Sequence, residues 1–237
     1  MRSRGATVLR FVAFDMDGTL VDCESSWASV HAFFGDRNDE GLRKFNSNQI
    51  DDVEFMRSDI RIWWKYRPDL TIDELEEILE PVPLMPGAET LIHGLHARGV
   101  RTAIVSGGID LLARRIATEL GIDIALANGF QVDGNGRLTG EGIVRVPIHG
   151  KEQVLEMLQR QLGIEPDETA SVGNSEIDVG LFRRSRVGVA FRPEDDAVRA
   201  GATAVVEESD LARVLDVLAE FPGGFPREAP AAGKPFT

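Results

Sequence analysis

The hydrophobic pattern of this chain changes period twice. Val8 to Phe14 is an apolar run rich in β-branched and aromatic residues, interrupted only by Arg10 and short enough for a strand. From Thr19 to about Glu80 the period turns helical. Trp27, Val30, His31 and Phe34 recur at helical spacing, as do Phe55, Ile60, Trp63 and Trp64 within Asp51–Arg67. Thr71-Ile72-Asp73-Glu74 reads as a capping box opening a helix with Leu75, Ile78 and Leu79. Residues 23–84 therefore predict several helices with no strand between them.

Pro86-Gly87 opens an alternating regime. A helix through Leu91 and Leu95 stops at Gly99. Strand Arg101–Ser106, helix Ile109–Leu120 and extended Ile122–Ala127 follow. Phe130–Val144 carries Asp133-Gly134-Asn135-Gly136, a hairpin signal. Helix Lys151–Leu162, strand Ala170–Gly173, a helix near Glu176–Arg183, strands Val187–Phe191 and Ala204–Val206, and helix Asp210–Ala219 complete the pattern. Alternating strands and helices predict an α/β fold: a Rossmann-like, doubly wound parallel sheet with an inserted helical cap and a small β-hairpin. The expected division is a discontinuous core (1–22 and 85–220), a cap (23–84) and a disordered Pro/Gly/Ala-rich tail (221–237). An insert directly after the first strand would overhang the strand ends, where a lid excludes water.

Charge narrows the partners. The net charge of −13 disfavours nucleic acid and anionic membranes, so an anionic substrate would need a local positive site. Lysines are few: Lys44, Lys65, Lys151 and Lys234. Cys23 is the single cysteine, which excludes an internal disulfide and a thiolate cluster and fits a reducing cytoplasm. The N-terminal apolar run contains Arg10 and ends at Asp15, so it fails as a signal peptide. No apolar run approaches a membrane span.

Candidate chemistry gathers where strands end and helices begin. Asp15 and Asp17, two apart after an extended run and before Gly18-Thr19, emerge on the same side and need a cation or a shared proton. Ser106-Gly107-Gly108 lets backbone N–H groups approach an anion, although such a triplet also serves as an ordinary loop. Lys151 opens a helix against the dipole, which suggests a compensating anion, or else is a solvated surface lysine. Asn174 and Asp178 supply two oxygens for a hard cation, or else cap a helix.

In this order the residues resemble the haloacid dehalogenase superfamily, in its phosphoserine phosphatase-like branch, over nearly the whole chain to about Ala219. The resemblance implies a phosphatase that hydrolyses a small phosphate monoester through an aspartyl phosphate. Asp15 would be the nucleophile and Asp17 the acid and then the base. Ser106, Gly107 and Lys151 would bind phosphate. Mg²⁺ would be held by Asp15, Asp17 (through its carbonyl), Asn174 and Asp178. Mg²⁺ and Lys151 balance the three acids, and an incoming dianion then favours a proton on Asp17. Two residues depart from the family pattern: Asn174 stands where Asp is usual, and Ile177 where phosphoserine phosphatases often carry Asn. The first departure predicts that Asn174→Asp tightens Mg²⁺ activation.

Substrate choice falls to the insert. Glu24 has the spacing of the family acid that contacts a substrate amine. Arg61, with Arg57 as competitor one turn earlier, has the spacing of the arginine that contacts its carboxylate. Trp63, Trp64 and Tyr66 read more as packing than as a pocket lining. The expected partner is a small phosphorylated metabolite, with a monomer or homodimer as the working unit. Two alternatives stay open: a phosphotransferase built from the same residues, or a catalytically weak binding scaffold favoured only by Asn174. The insert and the D-x-D-G-T order argue against a receiver domain.

Overall fold

A computed structural model describes residues 7–226. Seven strands form one sheet: β1 (Phe11–Phe14), β2 (Arg101–Ile109), β3 (Ile124–Val132), β4 (Leu138–Ile143), β5 (Thr169–Gly173), β6 (Val187–Phe191) and β7 (Ala204–Val206). Their order is β4-β3-β2-β1-β5-β6-β7, and every neighbouring pair is parallel except β3 and β4. β1 is buried on both faces, as its unbroken apolar composition requires. Val12 and Phe14 point into one core layer, Phe11 and Ala13 into the other. The chain leaves β1 in both lateral directions, to β2 and to β5. The crevice for a ligand therefore opens at the carboxyl end of β1.

Four helices lie between β1 and residue 87: α1 (Ser26–Phe34), α2 (Asp39–Asn46), α3 (Asp52–Trp63) and α4 (Ile72–Leu79). The remaining helices are α5 (Ala88–His96), α6 (Asp110–Leu120), α7 (Lys151–Leu162), α8 (Val179–Arg183), α9 (Asp196–Gly201) and α10 (Arg213–Glu220). α5, α6 and α10 cover the Val12/Phe14 face, through Leu91, Ile92, Leu112, Ile116, Val214 and Leu218. α7 covers the other face with Val154, Leu155 and Leu158.

The inserted helices are tied to one another and to the β3–β4 hairpin. The capping box of α4 forms as read, with Thr71 and Glu74 satisfying each other's backbone donors. Trp27 of α1 stacks on Trp63 of α3, with ring centroids 5.8 Å apart, and meets Phe130 of β3 edge-on at 5.4 Å. Leu138 N donates to Leu70 O (3.0 Å), Ile72 N donates to Gly136 O (2.9 Å), and Arg57 pairs with Glu141 at 2.7 Å.

Several boundaries differ from the sequence reading. β2 continues through Ser106 to Ile109 with a register shift after Val105, so α6 starts at Asp110. The extended stretch before residue 128 and the first arm of the hairpin are one strand, β3: the Asn128-Gly129 pair between them makes no turn, and the Asn128 side chain is instead bonded to Arg145 N, Val146 N and Val146 O. A 3-10 turn at Glu176–Asp178 precedes α8. The pattern missed α9, whose one buried residue, Val198, carries no period. The start of the expected disordered tail is packed: Gly224 O accepts from Leu9 N at 2.8 Å, and Arg98 lies over the Phe225 ring at 5.2 Å. Residues 227–237 of that tail lie outside the described residues.

Candidate active site

The first acidic turn hangs directly from β1. Asp15 N donates to Val172 O (2.9 Å), so the ladder to β5 persists through the first acid. Gly18 then takes φ +71°, and a Cβ there would also lie 2.4 Å from Asn174 Nδ2. Only glycine satisfies both demands.

Asp15 is buried, and Lys151 is buried with it. Lys151 Nζ lies 2.8 Å from Asp15 Oδ1 and 2.7 Å from Asp178 Oδ1. Here is the anion that its place at the start of α7 demands. Beyond this ion pair, the buried Asp15 Oδ1 meets no other donor among the described residues. Asp178 is better satisfied: its Oδ2 accepts from Asn174 N, Ser175 N and Ser175 Oγ, each at 3.0 Å. Burial, then the nearby Asp178, pushes the Asp15 carboxyl up to about 7 against the pull of Lys151. Burial opposes the Lys151 charge, but Asp15 and Asp178 more than offset it and hold its pKa above the ordinary lysine value.

Asp17 is steered by a residue the sequence reading passed over. Its Oδ2 accepts from both Ser26 N (2.9 Å) and Ser26 Oγ (2.8 Å). Ser26 Oγ in turn accepts from Ile109 N at 2.9 Å, joining the acid to the end of β2. Ser25 caps α1 through Ala28 N. A serine cap was legible in Ser25-Ser26, but not that the second hydroxyl turns inward. Asp17 Oδ1 meets only Cys23 Sγ, at 3.9 Å. Burial raises the Asp17 pKa, with the Ser26 bonds opposing. It also pushes the Cys23 thiol up to about 12, helped by Asp17.

Ser106 and Gly107 sit in the irregular stretch of β2. The peptide between Gly107 and Gly108 is held at both ends. Gly107 O accepts from Trp27 Nε1 (3.1 Å) and Asn128 Nδ2 (3.2 Å), and Gly108 N donates to Ser106 Oγ (3.1 Å). A Cβ on Gly108 would lie 2.7 Å from both Asp17 Oδ2 and Ser26 Oγ, so the backbone must stay bare for these two to meet.

Asp15, Asp17, Ser106, Gly107, Lys151 and Asn174 line one cleft of about 1100 Å³. Glu24 lines it from the segment just before α1, together with Trp27, Phe55 and Asp59 of the inserted helices. Arg61 does not. With Arg57 it lines a second cavity of about 460 Å³, which Arg37 and Asn38 border as well as the cleft. The reason is helical phase. Met56, Ile60 and Trp63 are buried and Phe55 and Asp59 take the cleft side, which turns residues 57 and 61 roughly 200° from 55 and 59. The arginine on the cleft wall is Arg37, between α1 and α2, where no periodic pattern marks it. Glu194, after β6, was also unforeseen; it lines the cleft and accepts from Asn174 Nδ2 at 3.2 Å. Burial, then Asp178, Asp195 and Glu24, raise its pKa.

His31 is structural. Trp63 Nε1 donates to His31 Nδ1 (3.2 Å), which leaves the proton on Nε2 to meet Asp59 Oδ1 at 2.8 Å. Trp63 is core, and exposed Tyr66 bonds Asp36.

Among the described residues no three His, Cys, Asp or Glu side chains converge as a metal cluster. The donors that do fit a hard cation are all oxygens: Asp15 Oδ1, which faces only Lys151 among the described residues, the Asn174 amide oxygen beside the Gly18 turn, and one unused lone pair on Asp178 Oδ1.

A family model described as haloacid dehalogenase-like hydrolase matches residues 12–183. A phosphoserine phosphatase of Archaeoglobus fulgidus is 30% identical over 90% of this chain, which spans 61% of that protein's length. One from Methanocaldococcus jannaschii is 28% identical over 87% of this chain and 96% of its own. Among solved structures, a phospho-aspartyl intermediate analogue of phosphoserine phosphatase superposes with TM-score 0.74 at 26% identity, over 89% of this chain and 99% of that one. A substrate-bound phosphoserine phosphatase complex gives 0.72 at 25% identity, over 88% and 98%.

Proposed function

Because the chain belongs to the haloacid dehalogenase-like hydrolases, in their phosphoserine phosphatase-like branch, we propose that it is a Mg²⁺-dependent phosphoric monoester hydrolase acting on a small phosphoserine-like ester through an aspartyl phosphate. The supporting observation is the meeting of Asp15, Asp17, Ser106, Gly107 and Lys151 on one cleft. Asp15 attacks phosphorus as the bond to the ester oxygen breaks, and Asp17 gives its proton to the leaving alkoxide. Asp17 then takes a proton from water, whose oxygen attacks phosphorus and frees Asp15 and inorganic phosphate. The raised Asp17 pKa suits a proton donor. With Oδ2 held by Ser26, Asp17 presents Oδ1 to the ester oxygen. Ser106 and the backbone at Gly107 hold phosphoryl oxygens, and Lys151 offsets their charge. Bound Mg²⁺ would supply charge neutralisation and alignment of the phosphoryl group, held by Asp15, the Asp17 carbonyl, Asn174 and Asp178.

Residues 23–84 act as the cap and 1–22 with 85–220 as the catalytic core. Glu24 answers a substrate ammonium. We assign the carboxylate to Arg37 in place of Arg61, on the strength of its position on the cleft wall. No described helix is long and apolar enough to cross a membrane. The net charge of −13 and the single cysteine support a cytoplasmic setting without nucleic-acid partners.

The test is phosphate release from a panel of phosphorylated metabolites, phosphoserine included, with and without Mg²⁺. Phosphoserine should be hydrolysed only with Mg²⁺, and Asp15→Asn should lower the rate roughly 10⁴-fold. Full activity in that variant would remove the nucleophile from the scheme. Added alcohols that capture the phosphoryl group would shift the reading to a phosphotransferase.

A further inference from the structure

Asn174 stands where the resembling family usually carries an acid, and a different acid stands beside it. Glu194, on the loop after β6, is tied to this residue twice. Its N–H donates to the Asn174 carbonyl (2.9 Å), and its Oε1 accepts from Asn174 Nδ2 (3.2 Å). An ionised carboxylate can only accept, so the contact settles which end of the amide faces it. The NH₂ turns towards Glu194, and Oδ1 turns towards Thr19 Oγ1 at 3.4 Å, in the turn that follows Asp17. In the reverse orientation Oδ1 would oppose a carboxylate, and the NH₂ would take the place that Oδ1 holds beside Thr19 Oγ1. An amide NH₂ offers a cation no lone pair.

We infer that Glu194 is a positioning residue of the cation site: it holds Asn174 in the one amide orientation that can ligate Mg²⁺. It also restores, one residue further out, the negative charge that asparagine lacks. Carboxylates behind a ligand commonly orient it in this way, and their loss weakens metal binding about 10–100-fold. The inference rests on the Mg²⁺ reading above. It also changes what Asn174→Asp should do. An aspartate has no wrong end, so Glu194 would have nothing left to orient.

The test is calorimetric titration of the full chain with Mg²⁺ alone, without substrate, in a double-mutant cycle. Glu194→Ala should weaken Mg²⁺ binding by about 10-fold or more in the parent chain. In the Asn174→Asp background the same substitution should cost less than about threefold. Glu194→Gln, whose carbonyl can still accept from the amide, should recover part of the loss. An equal loss in both backgrounds would reduce Glu194 to a remote charge and overturn the positioning role, as would an unchanged affinity in Glu194→Ala. Failure of the parent chain to bind Mg²⁺ would instead sink the functional reading on which the inference stands. Glu194 is exposed, so its variants should fold, and circular dichroism checks this.

Discussion

The floor and the wall of the cleft are built on different terms. On the floor, Asp15 and Lys151 are buried, with Asp178 buried behind Lys151 and off the cleft surface, and each draws its position from a strand end or a helix start. On the wall, Glu24 and Arg37 are exposed side chains on the insert, and neither is in a salt bridge with another described residue. The contrast fits the roles proposed for each. Handling a phosphoryl group needs charges in fixed relation and little water, which suits rigid, buried elements. Recognising the rest of a substrate is work for long side chains on connecting segments. The two meet at Ser26, which sits at the first turn of the insert yet bonds Asp17 on the floor.

The largest test of this contrast is Lys151→Met. It strands two buried carboxylates, so turnover should vanish and stability should fall by about 3–5 kcal/mol, the scale of breaking a buried ion cluster. Calorimetry should show Tm lower on the order of 10 °C. A loss no larger than that of an exposed wall substitution would erase the distinction.

A smaller effect separates the two arginines. Arg37→Gln should raise KM for phosphoserine about tenfold with kcat within about twofold, the mark of lost uniform binding. The same change should leave phosphoethanolamine, which lacks the carboxylate, unaltered. Arg61→Gln should do neither. Steady-state kinetics with both esters would return the role to Arg61 if that variant carried the loss.

The smallest is a pH effect on the floor alone. Burial lifts Asp15 from 3.8 to about 7, so between these values the folded chain keeps a proton that the unfolded chain has lost. Its contribution to stability is therefore full below about pH 4 and is lost as pH rises through about 7. Metal-free Asp15→Asn should melt a few degrees above the parent at pH 8, with the gap closing towards pH 4. Melting curves in chelator would show it; a gap independent of pH would mean that Asp15 titrates normally.

Much of the floor could be read in advance because its residues sit where a local pattern ends. Asp15 and Asp17 close an apolar run, Ser106-Gly107-Gly108 interrupts the apolar run of β2, and Lys151 stands against a helix dipole, which a nearby anion offsets. The wall was less legible. Arg61 was placed by spacing, but spacing along a helix leaves its rotation open until Met56, Ile60 and Trp63 choose the buried side. Arg37 and Glu194 lie on connecting segments, where no period marks them.

Local sequence determined the element types, the acidic turn after β1 and the chemistry on offer, since each depends on side chains within a few residues. Tertiary structure alone decided that Lys151 bridges Asp15 and Asp178, that Ser26 bonds Asp17 and that Glu194 accepts from the Asn174 amide. Each of these joins segments whose meeting depends on how elements pack, and packing is settled by the whole core together.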